Sequence, residues 1–390
     1  MIQLSDFLSP IPKSVLDNLT GISPKSLIHS IPVYTADFPD LSTIQIAIIG
    51  VKEDRFQATH ANCFKTPDDV RKQFYTLIKP KYDLNIADLG NIEPGNTVGD
   101  TLFALQACLK ELHERKIFTI IIGGPSDLSF AQFASFQNIN PNLNILVADS
   151  KIDLKQNDSM PEYSNFLYKI ITHQPNYLFN ITHVGNQAYY AEQESLDTFD
   201  NMNFDVFRLG QIRSDIKEFE PLARNANMIV FSMNSIKSAD VVCSIEMNPN
   251  GFYGEEACQM VRYAGMGNDL SSIGFYDLNT TNDVHNCGSK LLAQMIWYLI
   301  DGFYNRKNDY PTPESNDYMI YRTTFKNNDY EIVFYKNIYN ERWWMEVPYP
   351  KERNKQKGSY IVPCSYNDYQ LALKDEIPDR WMRAYQKLLV

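Results

Sequence analysis

Short β-branched apolar runs alternate with amphipathic helical stretches from Ile44 to about residue 305, and this alternation limits the fold more than any other feature. The runs are IQIAIIGV from Ile44, LNIADLG from Leu84, IFTIIIGG from Ile117, LNILVAD from Leu143, YLFNITHVG from Tyr177, NMIVFSMNS from Asn227 and SSIGFYDLN from Ser271. Each is too short and too uniformly apolar for an exposed helix, and reads as a strand buried on both faces. Between them, DDVRKQFYTLI, GDTLFALQACLKELHERK, FAQFASFQ, GEEACQMVRYAGM and GSKLLAQMIWYLIDGFY carry apolar residues at helical spacing. Strand and helix in turn predict an α/β fold, with a mainly parallel sheet covered on both faces. Ligands of such folds bind at the carboxyl ends of the strands.

The flanks read differently. Residues 1–43 hold several prolines and short apolar patches, and predict an irregular arm. After residue 305 the pattern changes to MIYRTTF, YEIVFYKN and RWWMEV, separated by short polar segments. These predict an antiparallel addition over residues 306–390. KERNKQKGS reads as an exposed loop and IPDRWMRAYQKLLV as a closing helix. Trp343 and Trp344 are adjacent, so in a strand they point to opposite faces, one into the body and one free for a partner or second sheet.

Composition removes several classes of function. The net charge is −11, from 36 basic and 47 acidic residues, and no long basic run appears, which argues against a nucleic-acid partner. LLAQMIWYLI is flanked by polar residues and reads as a buried helix, so no membrane insertion is expected. The start of the chain lacks a basic, apolar leader, and the six cysteines are scattered singly; both predict a cytoplasmic, reduced protein.

Four strand ends are polar: GGPSD (Gly123 to Asp127), ADSKID (Ala148 to Asp153), SMNSIKSAD (Ser232 to Asp240) and NGFYGEEA (Asn250 to Ala257). Asp149 and Asp153 flank Lys151. Two carboxylates there can hold a divalent ion, or can pair with the lysine between them. Of the six histidines, His183 and His285 lie at strand ends and could face the same cleft; His113 falls on the polar face of a helix.

Taken in order, these segments resemble the arginase and agmatinase family, the ureohydrolases, including its formimidoylglutamases. The resemblance spans residues 44 to 305 and implies a three-layer α/β/α fold. It divides the chain into an arm (1–43), a ureohydrolase-like domain (44–305) and an aromatic-rich extension (306–390) packed on or near it. Family members carry GGDHS, DAHxD, SxDxD and GLTxRE where this chain has GGPSD, DSKID, SMNSI and GFYGEE. The resemblance implies two manganese ions, held by two histidines and four aspartates, that share a hydroxide attacking a guanidinium or formimino carbon. Carried over, the six ligands fall on Ser126, Asp149, Lys151, Asp153, Asn234 and Ile236. Only Asp149 and Asp153 keep the family's residue. Asp127 follows Ser126 in the same loop. The glutamate of GLTxRE falls on Glu256, whereas its arginine is replaced by Glu255.

Isoleucine donates no oxygen, serine and asparagine bind weakly, and a protonated lysine puts positive charge where a metal's would be. The expectation is therefore no cofactor, with Lys151 neutralising Asp149, Asp153 or both. The function expected is a catalytically inactive binding or structural subunit, with a protein partner or self-association through the C-terminal aromatic segments. Two alternatives stand beside it. One is a hydrolase of a carbon–nitrogen bond in a small guanidino or formimino compound, with Mn2+ and a rebuilt site. The other is a small-molecule sensor that keeps the cleft. The extension is expected as core packing, an interface or a lid over the cleft.

Overall fold

A computed structural model describes residues 3–17, 19, 21–56, 63–152, 154, 164–312, 315–325, 330–349 and 358–389. Eight strands form the central sheet: β1 (Ile46–Val51), β2 (Ile86–Ile92), β3 (Phe118–Ile122), β4 (Leu143–Ala148), β5 (Leu178–Asn186), β6 (Asp205–Arg208), β7 (Met228–Ser232) and β8 (Ser272–Tyr276). Their order is β2-β1-β3-β8-β7-β4-β5-β6, and every neighbouring pair is parallel. Seven match the apolar runs. β6 is short and only half-buried, so it lacks the apolar signal that marks the others.

Register sorts the side chains into two cores. Ile48, Ile120, Ile273, Ile229 and Leu146 lie in one row across five strands and face one layer of helices. One residue further along, Ile49, Ile121, Val230 and Val147 face the other layer. This period of two is why both faces need apolar residues and why the strands read as continuous hydrophobic runs. Helices Gly254–Gly265 and Cys287–Phe303 cover the first face, and Val98–Glu114 the second. The helix Val98–Glu114 starts where Thr97 and Asp100 cap each other, the Thr97 hydroxyl accepting Asp100 N–H and Asp100 accepting Thr97 N–H.

The N-terminal arm closes the β2 edge. Ser9 and Asn91 exchange backbone hydrogen bonds, and Tyr34 N–H donates to Asp88 O. Leu8, Ile11, Val15 and Leu27 are buried beneath it. Covering an edge strand in this way removes a template for unwanted pairing.

A second, antiparallel sheet follows, with β9 (Tyr318–Phe325), β10 (Tyr330–Asn337), β11 (Trp343–Pro348) and β12 (Ser359–Cys364) in the order β12-β11-β10-β9. Among the described residues, the extension meets the central sheet at the amino ends of its strands. Lys387 Nζ donates to Asn180 at the start of β5, and Arg383 to Phe204 O just before β6. Tyr360 packs edge-on against Phe179, and Arg306 donates to Leu270 O before β8. The extension therefore sits at the opposite end of the sheet from the strand-end loops, which corrects the expectation of a lid. The two tryptophans do face opposite ways, but both are buried. Trp343 stacks on Tyr369 at 5.0 Å within the extension's own core, and Trp344 lies under the Arg224 guanidinium at 4.2 Å. The expectation that one tryptophan is free fails because the sheet is packed on both sides.

Among the described residues, no helix is long and apolar enough to cross a membrane.

Candidate functional site at the carboxyl ends of the strands

The loop after β3 turns on two glycines in the left-handed region, Gly123 at φ +104° and Gly124 at φ +72°. A Cβ on Gly123 would lie 2.7 Å from Pro67 Cγ and 2.9 Å from Val51 O, so no other residue fits the turn. Pro125 then leads into a short helical turn, Ser126–Leu128. Ser126 N–H donates to Asp277 Oδ1 at 2.8 Å. Asp127 is buried and accepts the backbone N–H groups of Asn165 and Phe166, at the start of the helix Phe166–Thr172. Burial, followed by the charge of Asp277, pushes the Asp127 carboxyl up to about 7.

Asp149 ends β4. Its carboxylate accepts Ser150 N–H at 2.6 Å, and burial, then the Asp277 charge, pushes it too up to about 7. Lys151 does not neutralise it as expected: its ammonium closes on Glu246 at 2.6 Å, over the Tyr190 ring at 5.2 Å. Chain direction explains this. The Lys151 side chain is 38% exposed and reaches outward to the 244–248 segment, while Asp149 turns inward. Asp153 lies outside the described residues.

At the end of β7, the Ser232 hydroxyl donates to Asp277 Oδ2 at 2.6 Å. Asn234 is buried; its side-chain oxygen accepts Glu246 N–H at 2.8 Å. Ile236 is fully buried and bridges Phe252 through its backbone. Glu256 accepts Tyr253 N–H at the start of its helix and pairs with Arg213 at 3.2 Å. The Tyr253 ring is held between Lys237 at 3.6 Å and Arg213 at 4.4 Å.

The two histidines part company. His183 pairs in register with Val147 of β4, so its ring belongs to the second core row and not to a strand end. It packs against Phe199, and its Nε2 donates to Lys151 O at 2.8 Å. Burial lowers its pKa to about 4. The reading of His183 as a cleft residue is thus corrected: it is a core histidine. His285 is exposed, at a left-handed turn with φ +65° before the helix Cys287–Phe303.

The residue that organises the site is Asp277, which the sequence reading passed over. It is 2% exposed, at the end of β8, with φ +66°. Its carboxylate holds the β3 loop through Ser126 and the β7 loop through Ser232. Its N–H donates to Gly124 O, and its O accepts Ile245 N–H. The signal was present: DLN after a buried strand places an aspartate at the strand's carboxyl end.

The sequence profile of the arginase family matches residues 44–301. The chain belongs to the arginase family. Among curated proteins it is similar to the formimidoylglutamases of several Staphylococcus aureus strains, including Newman, 22% identical over 301 residues, covering 71% of this chain and 94% of the relative. Among solved structures it resembles Trypanosoma cruzi formiminoglutamase with Mn2+ (TM-score 0.63, 17% identity, 70% of this chain and 100% of that one). It also resembles Bacillus subtilis formimidoylglutamase (TM-score 0.64, 14% identity, 74% and 94%) and Thermoplasma volcanium agmatine ureohydrolase (TM-score 0.59, 14% identity, 75% and 98%). Within the arginase fold, GGPSD, the first four residues of DSKID and SMNSI lie at the ends of β3, β4 and β7. Among the described residues, no group of three or more histidine, cysteine or acidic side chains is arranged to hold a metal ion.

Proposed function

We propose that this arginase-family chain does not carry out metal-dependent hydrolysis and serves as a binding or structural subunit. The observation that carries this reading is the reuse of the vacated ligand positions. Asn234 fastens the Glu246 backbone, Ile236 fills the core, and Lys151 pairs with Glu246. A side chain that holds the fold together is not free to hold an ion.

Donor chemistry supports the same reading. A pair of divalent ions sharing a hydroxide needs carboxylates and imidazoles in number. Ser126, Lys151, Asn234 and Ile236 supply neutral oxygens, an ammonium and a hydrocarbon. The six positions do not fit a dinuclear manganese centre, and no hydrolytic step is derived through one.

One observation favours the runner-up, a formimidoylglutamase- or agmatinase-like hydrolase with a rebuilt site. Asp127 and Asp149 are both raised to about 7 beside Asp277, and clustered perturbed carboxyls mark many active sites. In this fold their bonds to backbone N–H groups give them a structural use as well. Assay of the purified chain with Mn2+ against formiminoglutamate, agmatine and arginine tests the choice. The proposal expects no product above a protein-free blank. Turnover that depends on the metal puts the hydrolase reading first.

A further inference from the structure

We propose that β9 is a self-association edge, through which two copies of this chain pair antiparallel and join their four-stranded sheets into one of eight strands. This goes beyond the subunit reading above and does not depend on whether the chain is catalytic.

The backbone shows which groups are free. Tyr318 lies opposite Asn337, so Asp317 lies opposite Ile338, and Ile338 N–H donates to Asp317 O at 3.0 Å. Hydrogen-bonded and non-bonded pairs alternate along an antiparallel ladder. Met319, Tyr321 and Thr323 therefore bond to β10, while Tyr318, Ile320, Arg322 and Thr324 turn N–H and C=O outward. Among the described residues, none faces that edge with a backbone partner.

The edge carries none of the usual protections. β9 runs in unbroken register with β10 over eight pairs, so no bulge bends it away. It contains no proline and no lysine. Its single charge, Arg322, is bound to Glu331 at 2.8 Å. Ile320 is 55% exposed and Met319 43%. By contrast, the β2 edge of the same molecule is covered by the N-terminal arm.

Charge and symmetry favour a second copy as the occupant. A peptide recognised by its charge would meet no unpaired charge on this strand. In a twofold pairing centred on Ile320, Ile320 meets Ile320 of the second copy. Arg322 then lies opposite Tyr318 and Met319 opposite Tyr321. Moving the twofold axis by two residues, onto Arg322, sets Arg322 against Arg322, and like charges directly opposite are disfavoured.

Light scattering and sedimentation over a micromolar concentration series test the proposal. The wild type is expected to dimerise. Ile320→Pro removes an outward N–H and leaves every β9–β10 bond in place. Ile320→Lys sets two ammonium groups face to face. Each is expected to raise the dimer dissociation constant by about ten-fold or more, with Ile320→Val close to wild type. Directly opposed Cα atoms in a hydrogen-bonded antiparallel pair lie about 5.5 Å apart, within disulfide reach. Ile320→Cys, in a Cys287→Ser background that removes the exposed native thiol, should therefore cross-link two copies on oxidation. A wild type that stays monomeric throughout overturns the proposal. So does an oligomer that survives both Ile320→Pro and Ile320→Lys and fails to cross-link.

Discussion

Lys151 Nζ lies 2.6 Å from Glu246 Oε2, and the two side chains keep 38% and 43% of their surface exposed. Water and salt screen such a pair, which contributes about 0–1 kcal/mol. Lys151→Met is therefore expected to lower stability by less than about 1 kcal/mol in a urea melt. A loss of about 3–5 kcal/mol would mean instead that the ammonium serves a buried carboxylate such as Asp149.

Asp149 predicts a signed pH effect. In the unfolded chain its carboxyl titrates at its ordinary value of 3.8, and in the folded chain at about 7. Between these values the folded protein keeps a proton that the unfolded chain has lost. This group therefore favours folding most below the ordinary carboxylate range, and the benefit declines as pH rises towards 7. His113 and His183, buried and held near 3 and 4, act in the opposite sense, losing stability as pH falls below the ordinary imidazole range. The wild-type profile mixes the two effects, so the difference between wild type and Asp149→Asn isolates the carboxyl. The variant should gain on the wild type between pH 4 and 7, by at most about 1.4 kcal/mol per pH unit. A flat difference in urea melts across that range contradicts the shift.

Asp277→Ala removes the acceptor of both Ser126 N–H and Ser232 O–H in a buried setting. The expected cost is about 3–6 kcal/mol, from two hydrogen bonds to a charged group. Asp277→Asn keeps an acceptor and tolerates the left-handed backbone, and should cost less. Amide exchange at Ser126 should quicken in the alanine variant; unchanged protection there would remove Asp277 from its organising role.

Trp343→Ala and Trp344→Ala are each expected to cost about 3–5 kcal/mol, because both rings are buried on opposite sides of β11. Thermal or chemical melts decide this. A near-neutral result at either position would restore the picture of one tryptophan free for a partner.

The central sheet was legible because hydrophobic runs on parallel strands are continuous and need no knowledge of partners. β6 and β12 escaped notice for opposite reasons: Asp205–Arg208 is short and half-buried, and Ser359–Cys364 directly follows a polar segment that dominates its surroundings. Strand-end positions could be read, since motif order fixes which residue ends which strand. Side-chain direction could not. Lys151 looks like the natural partner of Asp149 in DSKID, yet the chain bends at Ser150 between them, and its partner Glu246 is almost a hundred residues away. His183 sits only three residues from a strand end, but register with Val147 turns it into the core. His113 was expected on a polar helix face and is instead packed against Phe136 at 4.3 Å.

The most direct test of the central claim is the metal content of the purified chain after equilibration with micromolar Mn2+ and removal of free ion. The reuse of Asn234 and Ile236 to hold the fold, with an ammonium at Lys151 in place of a ligand, predicts well below one retained manganese per chain. Two tightly held ions per chain would contradict it.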